Sequence, residues 1–221
     1  MSNYFRQLPD FEYVSRLPES KISDYIQVKN LFKRGFLRED IFQNLSFFTK
    51  YKIINNDRPD NVAFNFYGDS NLDWLVLVCN NIINIQTEWP MEQNNLDQYL
   101  LNKYGDYETL YSGIHHYETT EVRNNQNIIV VPAGLQVESD YQITFYDYDL
   151  ESQVTKYPVK SITNYEYESS IEDKKRNIFL LKPSYINVIK DDMEEIMTYR
   201  KGSTQYMSGT LKRADNIRLY Q

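Results

Sequence analysis

The spacing of apolar residues changes from segment to segment along this chain, and each change predicts an element. Residues 1–23 hold Pro9 and Pro18 among scattered aromatics with no steady period, which predicts an extended arm. From Asp24 to Arg34, Tyr25, Val28, Leu31 and Phe32 recur at helical spacing, with Ser23 or Asp24 as N-cap and Gly35 as the stop. A strand is expected over Ser46–Ile54, where aromatic and β-branched residues concentrate.

Residues 55–85 carry the most regular pattern. Asn55-Asn56-Asp57-Arg58-Pro59 is turn chemistry, and Pro59 stands where the first turn of a helix tolerates it. Val62, Ala63 and Phe66 share one helical face, and Gly68 closes that helix after Tyr67. Asp69 or Ser70 caps a second helix, on which Leu72, Leu75, Val76 and Cys79 form one face and Trp74 and Leu77 widen it. Asn80-Asn81 ends the helix, and Ile82–Ile85 reads as a short strand. The order is strand, helix, helix, strand.

After Glu88-Trp89-Pro90, the positions of Leu96, Tyr99, Leu100 and Lys103 predict a helix over Gln93–Tyr104, stopped by Gly105. From Gly113 the period becomes two, with strands expected over His115–Arg123, Ile128–Val131, Tyr141–Tyr148, Thr155–Tyr167 and Asn177–Leu181. Pro132-Ala133-Gly134 and Asp173-Lys174-Lys175 read as turns between them. Ile186, Ile189, Met193, Ile196 and Met197 predict a last helix, capped by Ser184 and followed by Arg200, Lys201 and Gly202. Tyr4, Phe5, Phe11 and Tyr13 near one end, and Tyr206, Met207, Leu211 and Tyr220 near the other, are large side chains without a continuous face. Both ends are therefore expected to order only against neighbouring subunits.

Composition narrows the function. The chain holds 20 Tyr and 11 Phe but only 7 Gly. Tyrosine suits surfaces buried on assembly, although AT-rich coding, which favours Tyr, Phe, Asn, Ile and Lys, accounts for the same bias. A net charge of -7 and a pI near 5.0 argue against duplex DNA or an anionic membrane as partner. The single Cys79 excludes an intrachain disulfide framework and fits manufacture in a reducing cytoplasm. No signal peptide is visible at the N-terminus, and apolar runs such as Trp74–Cys79 are too short to span a bilayer.

Candidate chemistry is sparse. His115 and His116 are adjacent, so on a strand they point to opposite faces and do not share a metal ion. Asp147, Asp149 and Glu151 would line one face of a strand, but without the glycine turn of a calcium loop they read as a solvated edge. Glu166 and Glu168 lack a facing carboxylate of the kind glycosidases use. No phosphate loop, nucleophile elbow or His-Glu-x-x-His motif occurs. No metal, cofactor or catalytic residue is expected. Trp74 lies on the apolar helical stripe and reads as core, whereas Trp89, before Pro90, reads as an interface anchor.

Asp60, Ala63, Tyr67-Gly68, Trp74, Leu77, Asn80 and Ile82 are spaced as in the LysM module, which the segment resembles. Arg58-Pro59-Asp60, Tyr67-Gly68-Asp69 and the run Trp74–Asn80 further resemble the LysM-bearing baseplate wedge subunit of T-even-type contractile-tailed phages, as does Phe32-Lys33-Arg34. Lys103-Tyr104-Gly105 and Ile114–Thr119 are similar to the cyanophage-like version. The resemblance covers residues 24–120 and loosens beyond. It implies an α+β fold: a small LysM-like β-α-α-β unit with flanking extended arms and a β-rich C-terminal part. The expected division is a docking arm and short helix at 1–45, the LysM-like unit at 46–90, a helix, β-rich region and closing helix at 91–202, and a tail at 203–221. The family resemblance further implies a non-enzymatic subunit of the virion's tail baseplate, assembled in the host cytoplasm. Such a subunit clamps larger wedge subunits and links them toward central hub proteins.

The alternative reading is a LysM-type peptidoglycan-binding module with weak glycan contact. Either reading puts the contact loops at Asp57, Arg58, Asp60, Asn80 and Asn81, with Trp89 beside them. Replacing Trp74 by Ala is expected to cost roughly 3–5 kcal/mol of stability, as for other buried tryptophans. A thermal melt of the variant that matches the parent, together with lost binding, would instead make Trp74 a surface anchor.

Overall fold

The computed structural model describes residues 4–21 and 23–215. Short helices and small sheets make an α+β chain. It gathers into two compact units, Met1–Glu88 with Asn177–Gln221, and Trp89–Arg176. In sequence, the second unit is an insertion into the first.

The helices of the first unit follow their local signals. Pro59–Tyr67 is helical with Pro59 in its first turn, and Gly68 ends it at φ 75°, the left-handed region where a Cβ is penalised. Asp69 Oδ1 accepts from Asn71 N at 3.0 Å and opens a 3-10 turn that runs into the helix Asp73–Cys79. Val62, Ala63, Trp74, Leu75, Val76 and Cys79 are buried between the helices and the strand Asn177–Leu181, with Trp74 only 6% exposed.

The closing strand departs from expectation. Phe48–Lys52 pairs antiparallel not with Ile82–Ile85 but with Asn177–Leu181, in the register Phe48↔Leu181 to Lys52↔Asn177. Ile82–Asn84 have no regular structure, and Ile85–Glu88 is one helical turn. Burial explains the choice, since Ile178, Leu180 and Leu181 all lie inside while Ile83 and Ile85 remain exposed. Each such buried side chain contributes roughly 1.5–3 kcal/mol. The helix Ile186–Met197 turns Ile189, Met193 and Met197 inward, and Ser184 lies in the 3-10 turn before it rather than at its cap. That helix stops at Thr198, before Arg200, Lys201 and Gly202.

The two ends of the chain also differ from expectation. Tyr25–Lys29 is a strand, antiparallel to Asp10–Val14, and not part of a helix. Tyr, Ile and Val favour a pleated surface, and a partner strand outweighs an apparent helical period. Gly35 therefore stops no helix. It is buried where an added Cβ would collide with the side chain of Met193. Asp10–Val14 also pairs in parallel with Leu211–Arg213, and that strand pairs with Tyr206–Ser208. The described strands of both arms thus pair in one sheet of their own unit. Arg213 Nε donates to Glu12 Oε2 at 2.8 Å across the parallel pair. Residues 1–3, Ile22 and 216–221, including Tyr220, lie outside the described residues.

In the second unit Gln93–Tyr104 is the expected helix, ended by Gly105 at φ 89°, and Tyr107–Ser112 follows it. Leu96, Leu100 and Leu110 form the core, with Met91, Tyr104 and Tyr165 packed against it. The strand Ile114–Thr119 lies between Val159–Thr163 and Gln136–Val137 in a three-stranded antiparallel sheet. Val122–Arg123 with Ile129–Val131, and Ile143–Asp147 with Ser152–Lys156, form two hairpins. The strand expected over Thr155–Tyr167 is broken, because Asn164–Lys175 is a helix that absorbs Asp173-Lys174-Lys175. Its signal is a capping box. Thr163 Oγ1 accepts from Glu166 N at 3.2 Å, and Glu166 Oε2 accepts from Thr163 N at 3.0 Å.

A buried carboxylate ties this helix to the core. Glu168 accepts from Lys103 Nζ at 2.6 Å and from the Tyr104 hydroxyl at 2.8 Å. Burial by itself would raise the Glu168 pKa, but the bonds from Lys103 and Tyr104 outweigh it and hold the group below the usual carboxylate range. A depressed carboxylate stabilises the fold above its unfolded pKa, and that contribution is lost as pH falls through the folded value. Glu168→Gln is expected to cost roughly 1–3 kcal/mol near neutral pH. The difference from the parent should shrink as pH falls through the folded pKa of Glu168. Urea unfolding across this range, followed by circular dichroism, checks both the size and the sign.

Candidate functional site

The helix Asp73–Cys79 ends at Asn80, whose carboxamide turns inward. Asn80 Nδ2 donates to Val76 O at 2.8 Å and to Phe179 O at 2.9 Å, while Oδ1 accepts from Phe179 N at 2.8 Å. Asn81 adopts φ 54°, and its Oδ1 accepts from Arg34 Nη2 at 3.1 Å. In the other loop, Arg58 Nε faces Asp60 Oδ1 at 3.3 Å, and Asp57 N donates to Ile54 O at 3.3 Å. Trp89, expected as an interface anchor, is only 6% exposed. The geometry thus pairs Arg58 with Asp60 and Asn81 with Arg34, gives Asn80 to the fold, and withdraws Trp89 from the surface.

Beside Asn80 lies an apolar groove of about 300 Å³, lined by Phe42, Leu45, Phe48, Cys79, Asn80 and Phe179. Burial pushes the Cys79 thiol up to about 12, so it is a packed apolar group and not a nucleophile near neutral pH. Large apolar side chains stand in water on both units. Phe32, Leu31, Phe36 and Phe64 do so on the first, and Tyr107, Tyr148 and Tyr157 on the second. Exposed aromatic groups of this size mark contact surfaces more than scattered aliphatics do. Helical spacing had placed Leu31 and Phe32 on a buried face, and only the strand pairing of Tyr25–Lys29 frees them.

The titratable clusters serve the fold. The His115 and His116 rings, expected on opposite faces, swing together with Nδ1 atoms 2.9 Å apart. His116 Nε2 meets Glu118 Oε1 at 3.1 Å, and His115 stacks on Tyr167 at 3.8 Å between centroids. A contact between two Nδ1 atoms is a hydrogen bond only when one is protonated and the other bare. Asp147 is buried at the end of a strand, while Asp149 and Glu151 lie in the hairpin turn and not on one strand face. Asp147 Oδ1 accepts from Asp149 N at 3.0 Å and from Asn125 Nδ2 at 2.8 Å, closing that turn. Among the described residues no group of three or more His, Cys, Asp or Glu is placed to hold a metal ion. No described helix is long and apolar enough to cross a membrane.

Comparison with known proteins gives this geometry a context. Residues 4–199 match the family described as base plate wedge protein 53. The baseplate wedge protein gp53 of Enterobacteria phage T4 is similar to the chain, with 25% identity over 185 residues, covering 74% of this chain and 86% of that protein.

The Asn80 carboxamide makes its own test. Asn80→Ala leaves the N–H and C=O of Phe179 without their partner and is expected to cost roughly 1–3 kcal/mol. Asn80→Asp keeps an acceptor for Phe179 N but loses the donor, so it should also destabilise. Urea unfolding midpoints equal to that of the parent would remove Asn80 from its structural role.

Proposed function

The chain belongs to the base plate wedge protein 53 family and is a component of the phage tail baseplate, and on that footing we propose that it clamps larger wedge subunits and links them toward the central hub. The observation that carries this reading is the match over residues 4–199, which runs through both compact units. Exposed aromatic side chains on each unit support it, because a clamp needs more than one contact surface. The role is structural and not catalytic, and the tail it serves is contractile. The strand Phe48–Lys52, the helices Pro59–Tyr67 and Asp73–Cys79, and the strand Asn177–Leu181 are read as a LysM-like scaffold used for protein contact.

The peptidoglycan alternative has less behind it. A glycan docking beside the second helix would meet Asn80, whose amide is already engaged by Val76 and Phe179. Baseplates produced without this chain are expected to stall before wedges join the hub, and adding the purified protein should restore joining. Complete baseplates in its absence would sink the linking role. Purified peptidoglycan should retain none of the protein and lose no turbidity with it. Retention would favour the glycan reading, and turbidity loss dependent on one carboxylate would make the chain an enzyme.

A further inference from the structure

The segment Asn30–Phe36 is neither helix nor strand, yet it is held along almost its whole length. Asn30 Nδ2 donates to the Tyr199 hydroxyl at 2.8 Å, and Asn30 Oδ1 accepts from Phe32 N at 3.1 Å. Lys33 Nζ donates to Thr198 O at 3.0 Å and lies 4.8 Å from the centre of the Tyr199 ring. Arg34 reaches Asn81, Gly35 N donates to the Tyr4 hydroxyl at 3.0 Å, and Gly35 is buried against Met193. The side chains at the tip are the exception: Leu31 is 70% exposed and Phe32 101%. A mobile loop would fold such a phenyl ring onto the nearest apolar surface. A pinned loop keeps it in water and meets the ordering cost before any contact forms, as binding anchors do.

Cations cluster beside the tip, Lys33 with Lys212 and with Arg200, the last of which also meets Glu195 at 3.4 Å. Lys212 Nζ lies 5.0 Å from the same Tyr199 ring that Lys33 covers. Burial, and after it the charges of Lys212 and Arg200, hold Lys33 below the usual lysine range. This cationic cluster stands out in a chain of net charge -7. A complementary surface would carry carboxylates around an apolar hollow. A two-fold contact between copies through this patch would set cation against cation and is disfavoured.

We propose that the Leu31–Phe32 tip is a preformed anchor that enters an apolar pocket rimmed by carboxylates on another baseplate protein. The inference rests on the assembly role proposed above and adds the chemistry of one contact. The probe is the wedge of the same phage, purified from particles made without this chain, titrated with the full-length protein. Phe32→Ala is expected to weaken binding roughly tenfold or more, as loss of an anchor does, and Leu31→Ala less. Arg200→Glu should weaken binding and flatten its salt dependence. Gln153→Ala, at an exposed polar position of the other unit, should bind the wedge like the parent. Phe32→Ala should also unfold like the parent, since its ring is bare.

The outcomes separate the two proposals. A parent that binds the wedge, with Phe32→Ala binding equally, would overturn the anchor and leave the assembly role standing. A parent that fails to bind the wedge at all would remove the assembly role and the anchor with it. A Phe32-dependent dimer of the isolated chain would identify a second copy as the occupant and overturn the stated partner, as would Phe32-dependent binding to a DNA duplex.

Discussion

One carboxamide joins two parts of the chain that are far apart in sequence. A helix end leaves carbonyls without intrahelical donors, and Asn80 answers one of them, on Val76, with its own side chain. The same amide then acts as a length of strand, giving a donor and an acceptor to the backbone of Phe179. The helix stop and the register of the closing strand are therefore one event. With Phe179 fixed, Ile178, Leu180 and Leu181 enter the core. The strand aligns with Phe48–Lys52, and the Tyr67 hydroxyl donates to Leu181 O at 2.9 Å.

This lock makes the insertion of residues 89–176 physically reasonable. Closing a long loop costs only slightly more entropy than closing a short one, because the cost grows with the logarithm of length. The inserted unit also has a core of its own in Leu96, Leu100 and Leu110, and its own buried carboxylate in Glu168, held by Lys103 and Tyr104. It asks little of the unit that hosts it. The parallel pairing of Asp10–Val14 with Leu211–Arg213 is a second long-range closure, and it brings both arms into one sheet.

Groups that look like chemistry in the sequence are largely engaged in holding the fold. Glu166 caps a helix, Glu168 answers Lys103 and Tyr104, Asp147 closes a turn, and Cys79 is packed. Large aromatic side chains such as Phe32, Tyr107 and Tyr148 face outward instead, which suits a subunit whose work is contact within the baseplate.

The elements legible from sequence were those whose cause lies within a turn or two of chain. Pro59, Gly68, Asp69 and Gly105 mark helix ends correctly because capping depends on neighbouring backbone groups. The apolar period over Ile186–Met197 needed no distant partner to be recognised. The capping box of Thr163 and Glu166 was also present in the sequence, but alternating aromatics around it suggested a strand. Of the expected contact residues, Arg58 and Asn81 do reach the surface, whereas Asn80 and Trp89 are drawn into the fold. What only the tertiary structure decided is pairing and exposure: that Phe48–Lys52 takes Asn177–Leu181, that Tyr25–Lys29 is a strand, and that Phe32 stands free. A strand's partner and a side chain's burial are set by residues remote in sequence, and no local pattern encodes which of two apolar segments will fill a given core.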